Sequence, residues 1–526
     1  MRTLFHHGLV HTPDDPGATA VLVEDDRIAW VGHEGAALAQ ADGVDREIDL
    51  AGALVTPAFV DAHVHVTATG MNLTGLDLTG TTSGADVLDR VRRHCASVSA
   101  DDIVLGHGWD ESTWSDPTLP TREDLDAACG GSAVYLTRID VHSALASTAL
   151  LDRLPDVTDV RGFHPTGPLH SDAHHEARGA VLDSITADQR RRLHQVAFDA
   201  FARAGIAAVH EMAGPDISSR TDLTELLAAD SGPAVTAYWG ELGGAATAGA
   251  LGAIGAGGDL FADGALGSHT AFLSAPYADA DTRGVRHVSA AEAADHIIDC
   301  VDHGVQAGFH VIGDGALAEV LDGFRRAADS VGDDRVRAGR HRLEHVEMPT
   351  AADLATIARL GLTVSVQPQF DALWGGPGGM YAARLGERAA ALNPFAAFAR
   401  SGIAMAFGSD TPVTAVTPWH SVAAAMFHHT ESARISARAA FGAHTRGGWR
   451  AVGIDDAGVI RPGFRASLAV WDAGELAVQA PDERIAGWST DPRSGTPPLP
   501  TLVESTAGPD CLLTMADGRV IHDAWQ

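Results

Sequence analysis

From about residue 57 to residue 450, short β-branched or apolar runs alternate with alanine-rich stretches of helical texture, and this alternation narrows the fold more than any other feature. Candidate strands are 103–106, 133–137, 206–210, 235–239, 260–262, 305–311, 341–346, 362–366 and 403–407, with helices such as 188–204, 290–303 and 350–360 between several of them. About eight such units make a (β/α)8, TIM-like barrel, whose active site lies at the C-terminal ends of the strands. The runs exceed that number, so one or two must be excursions from the barrel.

The two chain ends have a different texture. Residues 20–23 and 27–32 flank the acidic turn Glu24-Asp25-Asp26, a hairpin signal, and 466–472 and 512–521 have the same strand and turn character. Each set is too small to bury a core alone, so the two are expected to pair into one small β domain. This gives a division into 1–56, the barrel 57–450, and 451–526. Residues 485–506, rich in Pro, Gly and Ser, read as a surface loop.

Charge and composition exclude several classes of partner. Acidic residues outnumber basic ones 69 to 37, for a net charge of -32, which repels phosphate backbones and anionic lipid and argues against nucleic acid. No apolar run reaches the roughly 18 residues of a membrane span, and the first residues lack the apolar stretch of a secretory signal. Cys95, Cys129, Cys300 and Cys511 form no C-x-x-C pair and fit reduced thiols. A cytoplasmic protein acting on a small molecule is the expectation, and nothing in the sequence opposes a homodimer.

The chemistry is concentrated where the apolar runs stop. In Phe59-Val60-Asp61-Ala62-His63-Val64-His65 the two histidines are one residue apart, and alternation along a strand turns both to the same face. Three later runs close on His310, His345 and Asp410. In a barrel all five would meet at one mouth. Imidazoles plus a carboxylate, with a position left for water, are the donor set of a catalytic divalent metal site, with zinc the expected ion.

These residues lie in stretches that resemble the metal-dependent amidohydrolase superfamily, in the branch that includes N-substituted formamide deformylases. The matching segments are Phe59 to His65, Gly106-His107-Gly108-Trp109-Asp110-Glu111, Leu119 to Asp126, Phe261 to Ser268, Phe309-His310-Val311-Ile312-Gly313-Asp314, Leu343-Glu344-His345, Leu392 to Phe395 and Gly408 to Val413. The resemblance implies a metal-dependent barrel with a β-sandwich built from both chain ends. It also implies hydrolysis of a non-peptide C–N bond, amide or formamide-like, through a metal-activated water.

The sequence departs from that family at telling places. Members usually carry a lysine, carboxylated to bridge two metal ions, where this chain has Asp259, and all 37 basic residues here are arginines. Asp259 or Glu211 could stand in as a bridging carboxylate, but the loss of lysine favours one ion, held by His63, His65, His310 and Asp410 with His345 as ligand or hydrogen-bond donor. His269 and Gly315 stand where the family has arginines. Asp410 is the expected proton carrier and His345 the oxyanion stabiliser. Trp109, Trp114, His142, His269, Asp314, Gln367 and Trp374 are the candidates for contact with substrate. The rival readings are a one-metal deaminase of an amino-heterocycle and a non-catalytic descendant with a degenerate metal site.

Overall fold

A computed structural model describes residues 1–40, 42–96, 103–479, 488–489, 496–505 and 507–525. Of the surface loop expected at 485–506, residues 485–487, 490–495 and 506 lie outside them. The described chain divides into two compact units, one of residues 1–64, 198–213 and 226–526, the other of residues 65–197 and 214–225. Among the described residues no helix is long and apolar enough to cross a membrane. All four cysteines are free thiols.

The first unit contains the barrel. Its eight strands are β1 (Phe59–Val64), β2 (Ile206–Ala213), β3 (Ala234–Trp239), β4 (Gly255–Ala256), β5 (Gln306–Val311), β6 (Arg342–His345), β7 (Thr363–Val366) and β8 (Ala404–Phe407). They lie side by side in chain order and every pairing is parallel, as a βα repeat demands. The last strand meets the first through a parallel bridge between Val64 and Thr411, with the Asp410 N–H donated to the His63 carbonyl at 2.8 Å.

The same unit holds the β domain. Strands Arg27–Gly32, Ala20–Glu24, Arg2–His6 and Arg46–Asp49 form one sheet, and Leu9–Val10, Leu54–Pro57, Leu468–Asp472, Asp510–Ala516 and Arg519–Asp523 form the other. Phe5, Val21, Val23 and Ile48 share one buried core with Val55, Leu468, Val470, Leu513 and Met515. Each chain end thus covers the apolar face that the other cannot bury alone.

Two expectations about strands need correction. The runs at 103–106 and 133–137 are not barrel strands. They fall in Val104–Trp109 and Val134–Arg138 of the second unit, at the centre of a separate five-stranded sheet with Leu76–Asp77, Ser143–Ala146 and Leu169–His170. The fourth barrel strand is not 260–262 but the two-residue Gly255–Ala256, and Phe261 makes only an isolated bridge to His310. The expected helices stand at Ala187–Arg203, Ala290–His303 and Ala351–Leu360, the last two capped by Ser289 and Thr350 in capping boxes.

Closure of the barrel requires a residue without a side chain after β8. A Cβ on Gly408 would lie 2.6 Å from the His63 nitrogen and 2.9 Å from the His63 Cβ. Gly408→Ala is therefore expected to push β8 off β1 and cost about 1–3 kcal/mol, as overpacking does. A shift in the urea midpoint at unchanged slope would show it; an unshifted midpoint would mean that the two strands are not held this close.

Candidate metal centre

Alternation along β1 and β6 selects which side chains reach the centre. Asp61 and His63 are two apart on β1, and Arg342 and Glu344 are two apart on β6. His63 Nδ1 lies 3.0 Å from Glu344 Oε2, and Glu344 takes Arg342 Nε on Oε1 at 2.6 Å and Arg342 Nη2 on Oε2 at 3.1 Å. All three side chains are fully buried. The carboxylate accepts the Nδ1 proton of His63, which leaves Nε2 to face the barrel mouth.

Nε2 of His63 is 3.4 Å from Asp259 Oδ2 and 3.4 Å from Asp410 Oδ1. On the far side of Asp259, its Oδ1 lies 3.3 Å from His310 Nδ1 and 3.7 Å from His345 Nε2. Ligand atoms of His63, Asp259 and Asp410 fall within 4.8 Å of one another, and so do those of Asp259, His310 and His345. Asp259 belongs to both sets. His65 follows β1 directly in extended backbone (φ -122°) and opens the second unit.

The strand ends that supply these groups are strained. His345 (φ 69°), Val346 (φ 46°) and Asp410 (φ 57°) adopt left-handed backbone. Such conformations cost about 1–3 kcal/mol each and concentrate where a side chain must be aimed. His345 is further fixed by Gln367, whose Oε1 accepts from Nδ1 at 2.8 Å. Its buried Nε2 makes no hydrogen bond. That is the state of a nitrogen set aside for a cation, and the donor set around it, imidazoles and carboxylates, suits a borderline divalent ion.

The electrostatics agree. Burial alone would raise the pKa of Asp259, but the surrounding His63, His310 and His345 outweigh it and hold the carboxyl well below its usual range. Burial would lower His63, yet Asp259 and Asp410 carry it well above an ordinary imidazole. Glu344, against its burial, is drawn down to about 2 by Arg342 and His63. Without metal, the pocket therefore keeps a proton on His63 between two carboxylates.

The other candidates fall in varied surroundings. Glu211 is buried on β2 and supplies no atom to either ligand set. Trp109 is in the core of the second unit with Trp114 and donates its indole N–H to the Leu136 carbonyl at 2.9 Å, so packing accounts for it. His142, in the same unit, follows a turn in which its N–H meets Asp140 Oδ1 at 3.2 Å. His269 pairs with Asp279 at 2.9 Å, and Asp314 accepts from the Ser274 N–H at 2.9 Å, which ties it to the preceding loop. Gln367 orients His345 through Oε1, while its buried Nε2 makes no hydrogen bond.

Glu344, Arg342 and Asp61 were not foreseen as site residues. Asp61 Oδ1 accepts the Ser409 N–H at 2.8 Å, and burial pushes its carboxyl up to about 6. Asp263 similarly takes the N–H groups of Ile312 (3.0 Å), Gly313 (2.8 Å) and Phe272 (2.8 Å), fixing the turn after β5. Strand alternation could have revealed Glu344 and Asp61, since each is two residues from another inward polar group.

Replacing Gln367 by Leu removes the anchor of His345 and should weaken metal affinity about 10–100-fold with the fold intact; unchanged affinity in a metal titration would contradict the arrangement. The raised His63 pKa gives a second expectation. A cation must displace that proton, so affinity should rise as pH rises past the ordinary imidazole pKa of about 6.5, and binding should release protons. Calorimetry in two buffers of different ionisation enthalpy measures this, and proton-free binding would refute it.

Comparison with known proteins accords with this geometry. The sequence profile described as "Amidohydrolase family" matches residues 46–522. "Putative amidohydrolase YtcJ" of Bacillus subtilis is 27% identical over 459 residues, 80% of this chain and 82% of the relative. "N-substituted formamide deformylase" of Arthrobacter pascens is 26% identical over 187 residues, 35% of this chain and 34% of the relative. Among solved structures, an uncharacterized metal-dependent hydrolase from Pyrococcus furiosus aligns at 25% identity with a TM-score of 0.71, covering 89% of this chain and 98% of its own. With most of its length matched by the family profile, the chain belongs to the amidohydrolase family.

Proposed function

We propose that this protein is a metal-dependent hydrolase that cleaves a non-peptide C–N bond, amide or formamide-like, in a small molecule. The observation that carries the reading is Asp259 lying between His63 and Asp410 on one side and His310 and His345 on the other. The residues of the first unit that would hold metal are His63, Asp259, His310, His345 and Asp410. Asp259 directs Oδ2 to His63 and Oδ1 to His310 and His345, so it would contribute to both ligand sets, which supports two ions where the missing lysine supports one. When bound, divalent metal supplies Lewis acidity, lowering the pKa of water toward about 7 and polarising a carbonyl.

The chain's own groups do the rest. Asp410, held beside His63 by its backbone bond to the His63 carbonyl, takes a proton from the attacking water and delivers it to the leaving nitrogen. His345 is kept in one tautomer by Gln367, with Nε2 toward the centre. Phe370 stacks on His345 with centroids 6.0 Å apart and is followed by Trp374 at 4.8 Å and Tyr381 at 6.2 Å from Trp374, an aromatic wall suited to an apolar substituent on the scissile nitrogen. Glu347, two residues beyond His345, is buried, and that burial pushes its carboxyl up to about 7, giving the wall a polar end.

Asp410→Asn is expected to lower kcat on N-substituted formamides by about 10²–10⁴-fold while elemental analysis still finds metal. A near-normal rate in that variant would remove Asp410 from its role. Release of ammonia from amino-heterocycles instead of amine from formamides would replace the amidase reading with a deaminase.

A further inference from the structure

A second cluster of metal-ligating side chains lies in the β domain, where the first strand ends. His6 Nδ1 and His7 Nε2 approach the same oxygen, Glu34 Oε1, at 3.6 and 3.1 Å, with the two imidazole centroids 4.4 Å apart. Ligands at the 2.0–2.1 Å bond lengths of tetrahedral zinc are separated by about 3.3 Å, so these spacings need little adjustment around an ion. The remaining atoms of the cluster are arranged to present those three. Glu34 Oε2 accepts the His7 N–H at 2.9 Å, which aims Oε1 at the imidazoles. His7 Nδ1 lies 3.3 Å from Asp49 Oδ1, so the proton is held on that side and Nε2 keeps its lone pair.

The backbone makes the same arrangement. His6 and Asp49 are register partners on adjacent parallel strands, and His7 takes left-handed backbone (φ 57°), which turns its ring back beside that of His6. Glu34 starts the helix Glu34–Gln40, its N–H on Thr19 Oγ1 at 2.8 Å. An exposed imidazole–carboxylate pair contributes little to stability and needs neither two histidines nor an orienting aspartate.

We infer that His6, His7 and Glu34, with Asp49 orienting His7, form a divalent transition-metal site in the β domain, separate from the barrel centre. Three protein donors leave one position to solvent, and a bound ion would clip the end of the first strand to the helix at Glu34. The carbonyls of His6 and His7 accept from Leu50 and Gly52, so changes to the side chains leave the backbone pairing in place.

The test uses full-length protein stripped with chelator and dialysed against zinc alone. Wild type should hold one zinc per chain more than His7→Ala or Glu34→Gln, the ions in the barrel cancelling in the difference. Asp49→Asn should keep the extra ion with about 10–100-fold weaker affinity. Added zinc should raise the melting temperature of wild type above that of both ligand variants, and cobalt should give a visible band that they lack. Hydrolysis should be equal in all. Equal zinc content in wild type, His7→Ala and Glu34→Gln, each giving a cooperative melt, would overturn the site.

Discussion

The metal centre depends on one carboxylate kept ionised inside the barrel. Glu344 is fully buried, and removing such a group from water costs several kcal/mol unless it is paired and hydrogen-bonded. Arg342 supplies the pairing through two nitrogens and distributes its other bonds to the Ala62 carbonyl, Ser365 Oγ at 2.8 Å and His210 Nδ1 at 2.9 Å. Its guanidinium also sits 4.9 Å from the Tyr238 ring. A single arginine on β6 therefore engages β1, β2, β3 and β7. The charge it stabilises sets the tautomer of His63.

Strain is concentrated at the other end of the same strands. His345 and Asp410 could not both aim at Asp259 from regular β backbone, and each adopts a conformation that other residues avoid. The cost is met by contacts that leave little freedom: Gln367 on the His345 ring, the His63 carbonyl on the Asp410 N–H, and Gly408 where a side chain would collide with β1. The rigid polar network below and the strained rim above hold the ligand atoms in place before any ion is bound, as preorganised sites require.

Much of this was legible in the sequence. The barrel follows from alternating texture, and His63, His310, His345 and Asp410 announce themselves by closing apolar runs. Sheet membership did not follow, because the runs at 103–106 and 133–137 have the same composition as barrel strands and pairing partners are set far along the chain. The fourth strand, Gly255–Ala256, is too short and too small in its side chains to give a signal. Asp259 could be singled out only against the lysine it replaces. The link from His63 to Glu344 joins residues 281 apart and needs three dimensions to see. The bond from His345 to Gln367 is equally invisible in the sequence, because a polar residue after a strand looks the same whether it meets a ligand or orients a histidine.

The central claim is that Asp259 is the shared carboxylate of a metal centre assembled from separated strand ends. Anomalous diffraction from zinc-loaded crystals, collected on both sides of the zinc edge, addresses it directly. The account predicts peaks against both oxygens of Asp259, one beside His63 and Asp410, the other beside His310 and His345. Zinc bound elsewhere in the chain with no peak at Asp259 would contradict it.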